Sequence, residues 1–167
     1  MSDIELYLIR HTEAEEASGK GDAARQLTAR GRAQAEQLLA VLGSLKQFDH
    51  LYSSPLTRAA QTAEPLAQLL RRSGGVQYLD SLAGDAYDQL ITDIRERIQD
   101  GAQTVGLVGH EPYLGRLASY LLTGDSAKVP IDIKKGAFAT LNGTLAPAGM
   151  TLRMLVPQPI YAPAASA

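Results

Sequence analysis

Leu6-Tyr7-Leu8-Ile9-Arg10-His11-Thr12 opens with four apolar residues, one aromatic and one β-branched, and runs straight into an arginine and a histidine. A short, unbroken apolar run of this kind predicts a strand buried on both faces, the signature of a parallel sheet. In open α/β sheets ligands sit just outside the carboxyl ends of strands. Arg10 and His11 are therefore expected at the rim where chemistry is usually done. Many strands end in polar residues, so the reading depends on other segments bringing matching side chains to that rim.

Downstream, the polar segment from Glu13 to Gln26, with Gly19, Lys20 and Gly21, reads as a loop. Thr28 is a plausible N-cap for a helix reaching Leu42, its apolar stripe Ala35, Leu38, Leu39 and Leu42, with Gly43 ending it. A short strand follows at Leu51-Tyr52-Ser53. Ser54-Pro55 then predicts a helix start, serine as cap and proline at the first helical position, which puts Arg58 about one turn in, at the positive end of the helix dipole. Pro65 should kink or split that helix. A weak strand is expected at Val76–Leu79, and a helix from Ala86 to Ile98.

Thr104-Val105-Gly106-Leu107-Val108-Gly109 is the second clear buried strand, and His110 stands at its end. Glu111-Pro112 opens a helix striped by Leu114, Leu117, Ala118, Leu121 and Leu122. Ala137–Leu141 and Met150–Val156 predict two more strands with a short connection, hence an antiparallel hairpin at one edge. Strands alternating with helices imply an α/β fold: three layers, a mostly parallel central sheet and helices on both faces.

Length and composition set limits on function. The 167 residues suffice for one domain, expected over 1–156, with a Pro/Ala-rich tail over 157–167. A net charge of −2 without clustered basic residues argues against nucleic-acid or membrane-surface partners. The absence of cysteine excludes disulfides, thiolate metal sites and a cysteine nucleophile. No signal peptide or membrane span is recognisable, so a cytoplasmic location is the default expectation. His11-Thr12-Glu13 echoes the His-x-Glu of zinc deaminases, but the cysteines of that signature are missing. No His-Glu-x-x-His, Walker loop or dinucleotide fingerprint occurs, and neither metal nor cofactor is expected.

In a parallel sheet the ends carrying Arg10, His11 and His110, and the helix start carrying Arg58, share one rim. Two guanidinium groups and two imidazoles suit a phosphoryl dianion. Arginine offers bidentate donors that never lose charge, a helix N-terminus favours anions, and neutral imidazole can attack phosphorus.

The segments Arg10-His11-Thr12, Leu27-Thr28-Ala29-Arg30-Gly31, Ser53 through Ala63 and Gly109-His110-Glu111-Pro112, in that order, resemble the motifs of the histidine phosphatase (phosphoglycerate-mutase-like) superfamily. The short chain and the last motif are most similar to its SixA-type phosphohistidine phosphatase branch. The likeness spans roughly residues 4 to 142, with Thr12 standing where glycine or alanine is usual. It implies a phosphoglycerate-mutase-like fold and a phosphatase in which His11 takes the phosphoryl group covalently. Arg10, Arg58 and His110 would grip the phosphoryl oxygens, with Thr12 as a further contact. A phosphohistidine-bearing protein is the implied substrate. Ester-cleaving members place a carboxylate acid after the third strand; Asp80, Asp85 and Asp88 lie there, and Glu111 follows His110. Glu111 and Asp85 are the candidate acids, although neither is singled out. A departing imidazole needs no strong acid, which leans the reading toward a phosphoramidate.

Plainer readings stand beside these. Singly, His11 or His110 would be a satisfied strand-end histidine and Arg58 a surface helix residue; four ordered motifs favour function. Glu111 suits a cap or pocket rim better than an acid. His50, beside Asp49, is expected on the solvated surface. Lys20, Arg25 and Gln61 are weaker candidates for substrate contact. The rival functions are a small-molecule phosphomonoester phosphatase, then a phosphoglycerate-type mutase, then a phosphate-binding module without turnover.

Overall fold

A computed structural model of the chain describes residues 2–17, 19–98 and 101–158. Its centre is β1 (Ile4–Arg10), flanked on one side by β4 (Thr104–Gly109) in parallel and on the other by β5 (Phe138–Gly143) antiparallel. Next to β4 lie β2 (His50–Ser53) and the two-residue β3 (Gln77–Tyr78), both parallel. The sheet closes on the far side with β6 (Met150–Val156), antiparallel to β5, giving the order β3-β2-β4-β1-β5-β6. The expected hairpin is there, and its first strand also docks on β1.

Why β1 is apolar on both faces is visible in the packing. Leu6 and Leu8 enter one hydrophobic cluster with Val105, Leu107, Leu114 and Leu117, while Tyr7 and Ile9 enter another with Leu38, Leu42, Ala59 and Leu66. Strand side chains alternate between faces, so each cluster is one interlayer core. Helices α1 (Ala29–Leu45) and α2 (Thr57–Leu66) cover the second; α3 (Tyr87–Arg97) and α4 (Tyr113–Thr123) cover the first. All four β1 residues are at most 1% exposed. Each such burial contributes roughly 1.5–3 kcal/mol.

Three local expectations need correction. Gly43 does not end α1, which continues to Leu45. A Cβ on Gly43 would come within 3.2 Å of a Leu69 methyl, so this glycine answers helix packing rather than termination. Ser54-Pro55 does not begin α2; Leu56 is its N-cap, and the Ser54 hydroxyl, two residues ahead of that position, accepts the Leu56 amide instead of a helix amide. Arg58 is therefore the second residue of the helix. His50 is buried, not solvated: it lies on β2 and stacks on Tyr52 at 5.8 Å with rings nearly parallel. Pro65 acts as expected, the α-helix giving way after Leu66 to a 3-10 turn over Ala67–Leu69. Of the tail, Gln158 donates to the Gln37 side chain; residues 159–167 lie outside the described residues.

Candidate active site

The register of the central strands assembles the rim. Arg10 pairs with Gly109, and the His11 amide donates to the Gly109 carbonyl at 2.9 Å, so His11 and His110 leave neighbouring strand ends side by side. On the other side of β4, Ser53 pairs with Val108 and the Ser54 amide donates to the Val108 carbonyl, which starts α2 at the same edge. Arg10, His11, Arg58 and His110 thus meet at one rim. The charges agree, since Arg58 acts on Arg10, His11 and His110 alike.

His11 is 4% exposed, and its Nδ1 lies 2.7 Å from the carbonyl oxygen of Thr12. A carbonyl only accepts, so Nδ1 carries the proton and Nε2 keeps its lone pair. Burial above all, then Arg58, Arg10 and Lys135, lowers the His11 pKa to about 4, against the opposing pull of the Thr12 carbonyl. Repulsion by the arginines is secondary to desolvation. Burial, followed by Arg58, also lowers the His110 pKa.

Each arginine is held by one side of its guanidinium. An Arg10 terminal nitrogen donates to the Ile133 carbonyl at 3.0 Å. Arg58 gives its two terminal nitrogens to Asp22, one to the backbone carbonyl at 2.9 Å and one to the carboxylate at 3.1 Å. Arg10 Nε, Arg58 Nε and His110 Nε2 are buried without a protein partner among the described residues. Buried polar atoms are nearly always satisfied, so three such atoms on one rim mark a site for an acceptor-rich ligand.

Around this rim a hydrogen-bonded frame fixes the pieces. The Thr62 hydroxyl donates to the Arg58 carbonyl one turn back and accepts the Thr12 amide, tying α2 to the end of β1. Thr12 itself corrects an expectation. Its side chain is fully buried and its hydroxyl donates to the Gly31 carbonyl at 2.7 Å, so it joins β1 to α1 and is not a phosphate contact. Gln61 accepts the Leu27 amide and Arg25 donates to Glu15 and Asp22, so both brace the loop.

Of the two candidate acids, Glu111 spends one carboxylate oxygen on the Gly115 amide and the other on the Ile133 amide, a clamp at the start of α4. Asp85 is exposed ahead of α3, and its charge acts on Tyr87 and Tyr113. No cluster of three or more potential metal ligands occurs among the described residues.

Asp22 escaped the sequence reading. It sits in the polar loop with nothing but a nearby Arg25 to mark it, and its bond to Arg58 crosses 36 positions. Local sequence carries no signal for such a contact.

A sequence model of the histidine phosphatase superfamily (branch 1) matches residues 6–100. No protein of curated function matches the chain by sequence. Among solved structures, the protein histidine phosphatase SixA in complex with tungstate superposes with a TM-score of 0.78 at 20% identity, covering 94% of this chain and 99% of that one. A protein from Nakamurella multipartitia named as a phosphohistidine phosphatase SixA gives 0.73 at 27% identity, over 93% and 96% of the two chains. A protein from Escherichia coli K-12 named as an α-ribazole-5'-P phosphatase gives 0.74 at 22%, over 93% and 98%. These similarities place the sheet order and its helical layers in the phosphoglycerate-mutase-like fold. Among the described residues no helix is long and apolar enough to cross a membrane. With its family motifs gathered at one strand-end rim, the chain belongs to the histidine phosphatase superfamily (branch 1) and is a phosphatase.

Proposed function

We propose that the protein hydrolyses phosphohistidine, with His11 as nucleophile and Arg10, Arg58 and His110 holding the phosphoryl oxygens. The observation that carries this reading is the set of buried, unpartnered polar atoms, Arg10 Nε, Arg58 Nε and His110 Nε2, beside an imidazole whose Nε2 keeps its lone pair. His11 Nε2 attacks phosphorus, and the bond to the leaving nitrogen breaks with its electron pair staying on that nitrogen. Water then attacks the phosphoryl group on His11, releasing dihydrogen phosphate, which keeps both water protons, and restoring neutral His11. Positioning and charge neutralisation dominate phosphoryl transfer, and two fixed guanidinium groups supply both.

The acids support this substrate class. Glu111 is committed to two backbone amides, which leaves a poor supply of protons for an alkoxide. Imidazole protonated on its far nitrogen departs without one. A small phosphomonoester is the second reading, favoured by a cleft of about 400 Å³ lined by Glu111, Gly115, Arg116, Val129, Ile131 and Asp132. Two of these, Glu111 and Asp132, act on the charge of Arg10.

Brief incubation with labelled substrate followed by alkaline quench should trap acid-labile phosphate on the protein. His11→Ala should abolish both the label and turnover, a loss of at least about a thousandfold. Turnover near wild type in that variant would remove the mechanism. Rates on a phosphohistidine-bearing carrier protein, an aryl phosphate and 3-phosphoglycerate then separate the substrate classes.

A further inference from the structure

Asp22 stands at the mouth of the site rather than in its floor. Its side chain is 61% exposed, whereas the Arg58 side chain it holds is 7% exposed and His11 is 4% exposed. Arg58 turns both terminal nitrogens to Asp22 and keeps a buried Nε without a partner. A second cation, Arg25, holds the other Asp22 oxygen at 3.0 Å. The carboxylate is therefore fixed from two sides, and its negative charge is also felt at His110.

In-line displacement places the leaving group opposite the nucleophile. With His11 buried and the phosphoryl group on buried donors, the leaving group points outward, and Asp22 is the exposed carboxylate held against the Arg58 donor. Arg25 first, and Arg58 with it, hold the Asp22 carboxyl below the usual carboxylate range, so it is an acceptor there and not an acid. An ionised acceptor at that position suits a leaving group that carries an N–H and a positive charge. It opposes one that carries its own carboxylate.

Resting on the phosphohistidine reading above, we propose that Asp22 determines specificity: its carboxylate accepts a hydrogen bond from the far ring N–H of a phosphoimidazolium substrate. That contact favours the protonated phosphoimidazole. As the P–N bond breaks, its electron pair stays on the near nitrogen and the proton stays on the far one, so neutral imidazole departs with no proton transferred. Asp22 forms no covalent bond and donates no proton.

The test compares wild type with Asp22→Asn on N-phosphoimidazole, p-nitrophenyl phosphate and 3-phosphoglycerate. The ratio of kcat/KM for N-phosphoimidazole to that for p-nitrophenyl phosphate should fall about tenfold, a charge-assisted hydrogen bond being roughly twice as strong as a neutral one. The ratio for 3-phosphoglycerate to p-nitrophenyl phosphate should rise. A merely structural Asp22, acting by holding Arg58, would change all three rates together and leave both ratios unmoved, which overturns the inference while the phosphohistidine reading stands. A wild-type protein that hydrolyses p-nitrophenyl phosphate but not N-phosphoimidazole overturns both.

Discussion

A buried imidazole beside two guanidinium groups stays neutral well into acid, and this has two measurable consequences at His11. In the proposed mechanism the free lone pair of Nε2 is the reactive form, and a pKa lowered to about 4 keeps it available. The acid limb of kcat/KM on an aryl phosphate should accordingly fall near pH 4 to 5; a midpoint near 6.5 would contradict the burial argument. The same shift acts on folding. Between the unfolded value of 6.5 and the folded value of about 4, the unfolded chain binds the extra proton. The contribution is fully present above pH 6.5 and is lost as pH falls toward 4, about 3 kcal/mol by the conversion of 1.36 kcal/mol per unit. His110, shifted the same way, adds to that loss. Denaturant midpoints measured across this range in wild type and His11→Ala check it: the variant should show a shallower decline.

At the scale of elements, α1 is seated by its first turn. The Thr28 hydroxyl accepts the Gly31 amide as N-cap and donates to the Glu13 carboxylate, while the Gln34 side chain accepts the Glu13 amide. A Cβ at Gly31 would lie 1.9 Å from the Glu13 carbonyl oxygen, so only glycine lets the helix come this close to the chain leaving β1. Gly31→Ala should cost about 1–3 kcal/mol by overpacking, read as a lower Tm, and should reduce activity by moving Thr12, whose hydroxyl donates to the Gly31 carbonyl. Unchanged Tm and turnover would refute the close approach. This seam also shows what sequence can carry. Thr28 as cap and the two-faced burial of β1 and β4 were legible because they depend on local chemistry and on period. Gly43 and Ser54-Pro55 misled because both are punctuation signals that packing overrode: α1 runs on past Gly43 to Leu45, and α2 begins two residues later than serine-proline predicts, at Thr57 behind Leu56 as N-cap. Thr12 was misjudged for a related reason, since a hydroxyl at the rim says nothing of the face it takes.

Across the whole molecule, the four rim residues were legible because a parallel sheet collects its strand ends on one edge, but the groups that hold them were not. Ile133 and Asp22 reach the two arginines over separations of 123 and 36 positions. Glu111 shows how such a link works. Its carboxylate takes the amides of Gly115 and Ile133, and Ile133 in turn presents its carbonyl to Arg10. The approach is tight, for a Cβ on Gly115 would lie 2.0 Å from the Ile131 carbonyl oxygen. Glu111→Ala would leave two amides without their acceptor, at about 1–3 kcal/mol for each that stays buried. The segment carrying Ile133 should then drift, and Arg10 with it. Activity should fall about ten- to a hundredfold, equally on p-nitrophenyl phosphate and on an alkyl phosphate, since a misplaced guanidinium harms every phosphoryl group alike. A general acid would behave otherwise. Its loss would spare p-nitrophenolate, which departs without a proton, and would remove the alkaline limb of the pH profile. Equal losses with an unchanged alkaline limb therefore identify Glu111 as a positioning residue for Arg10, and a loss confined to the alkyl ester would make it the acid.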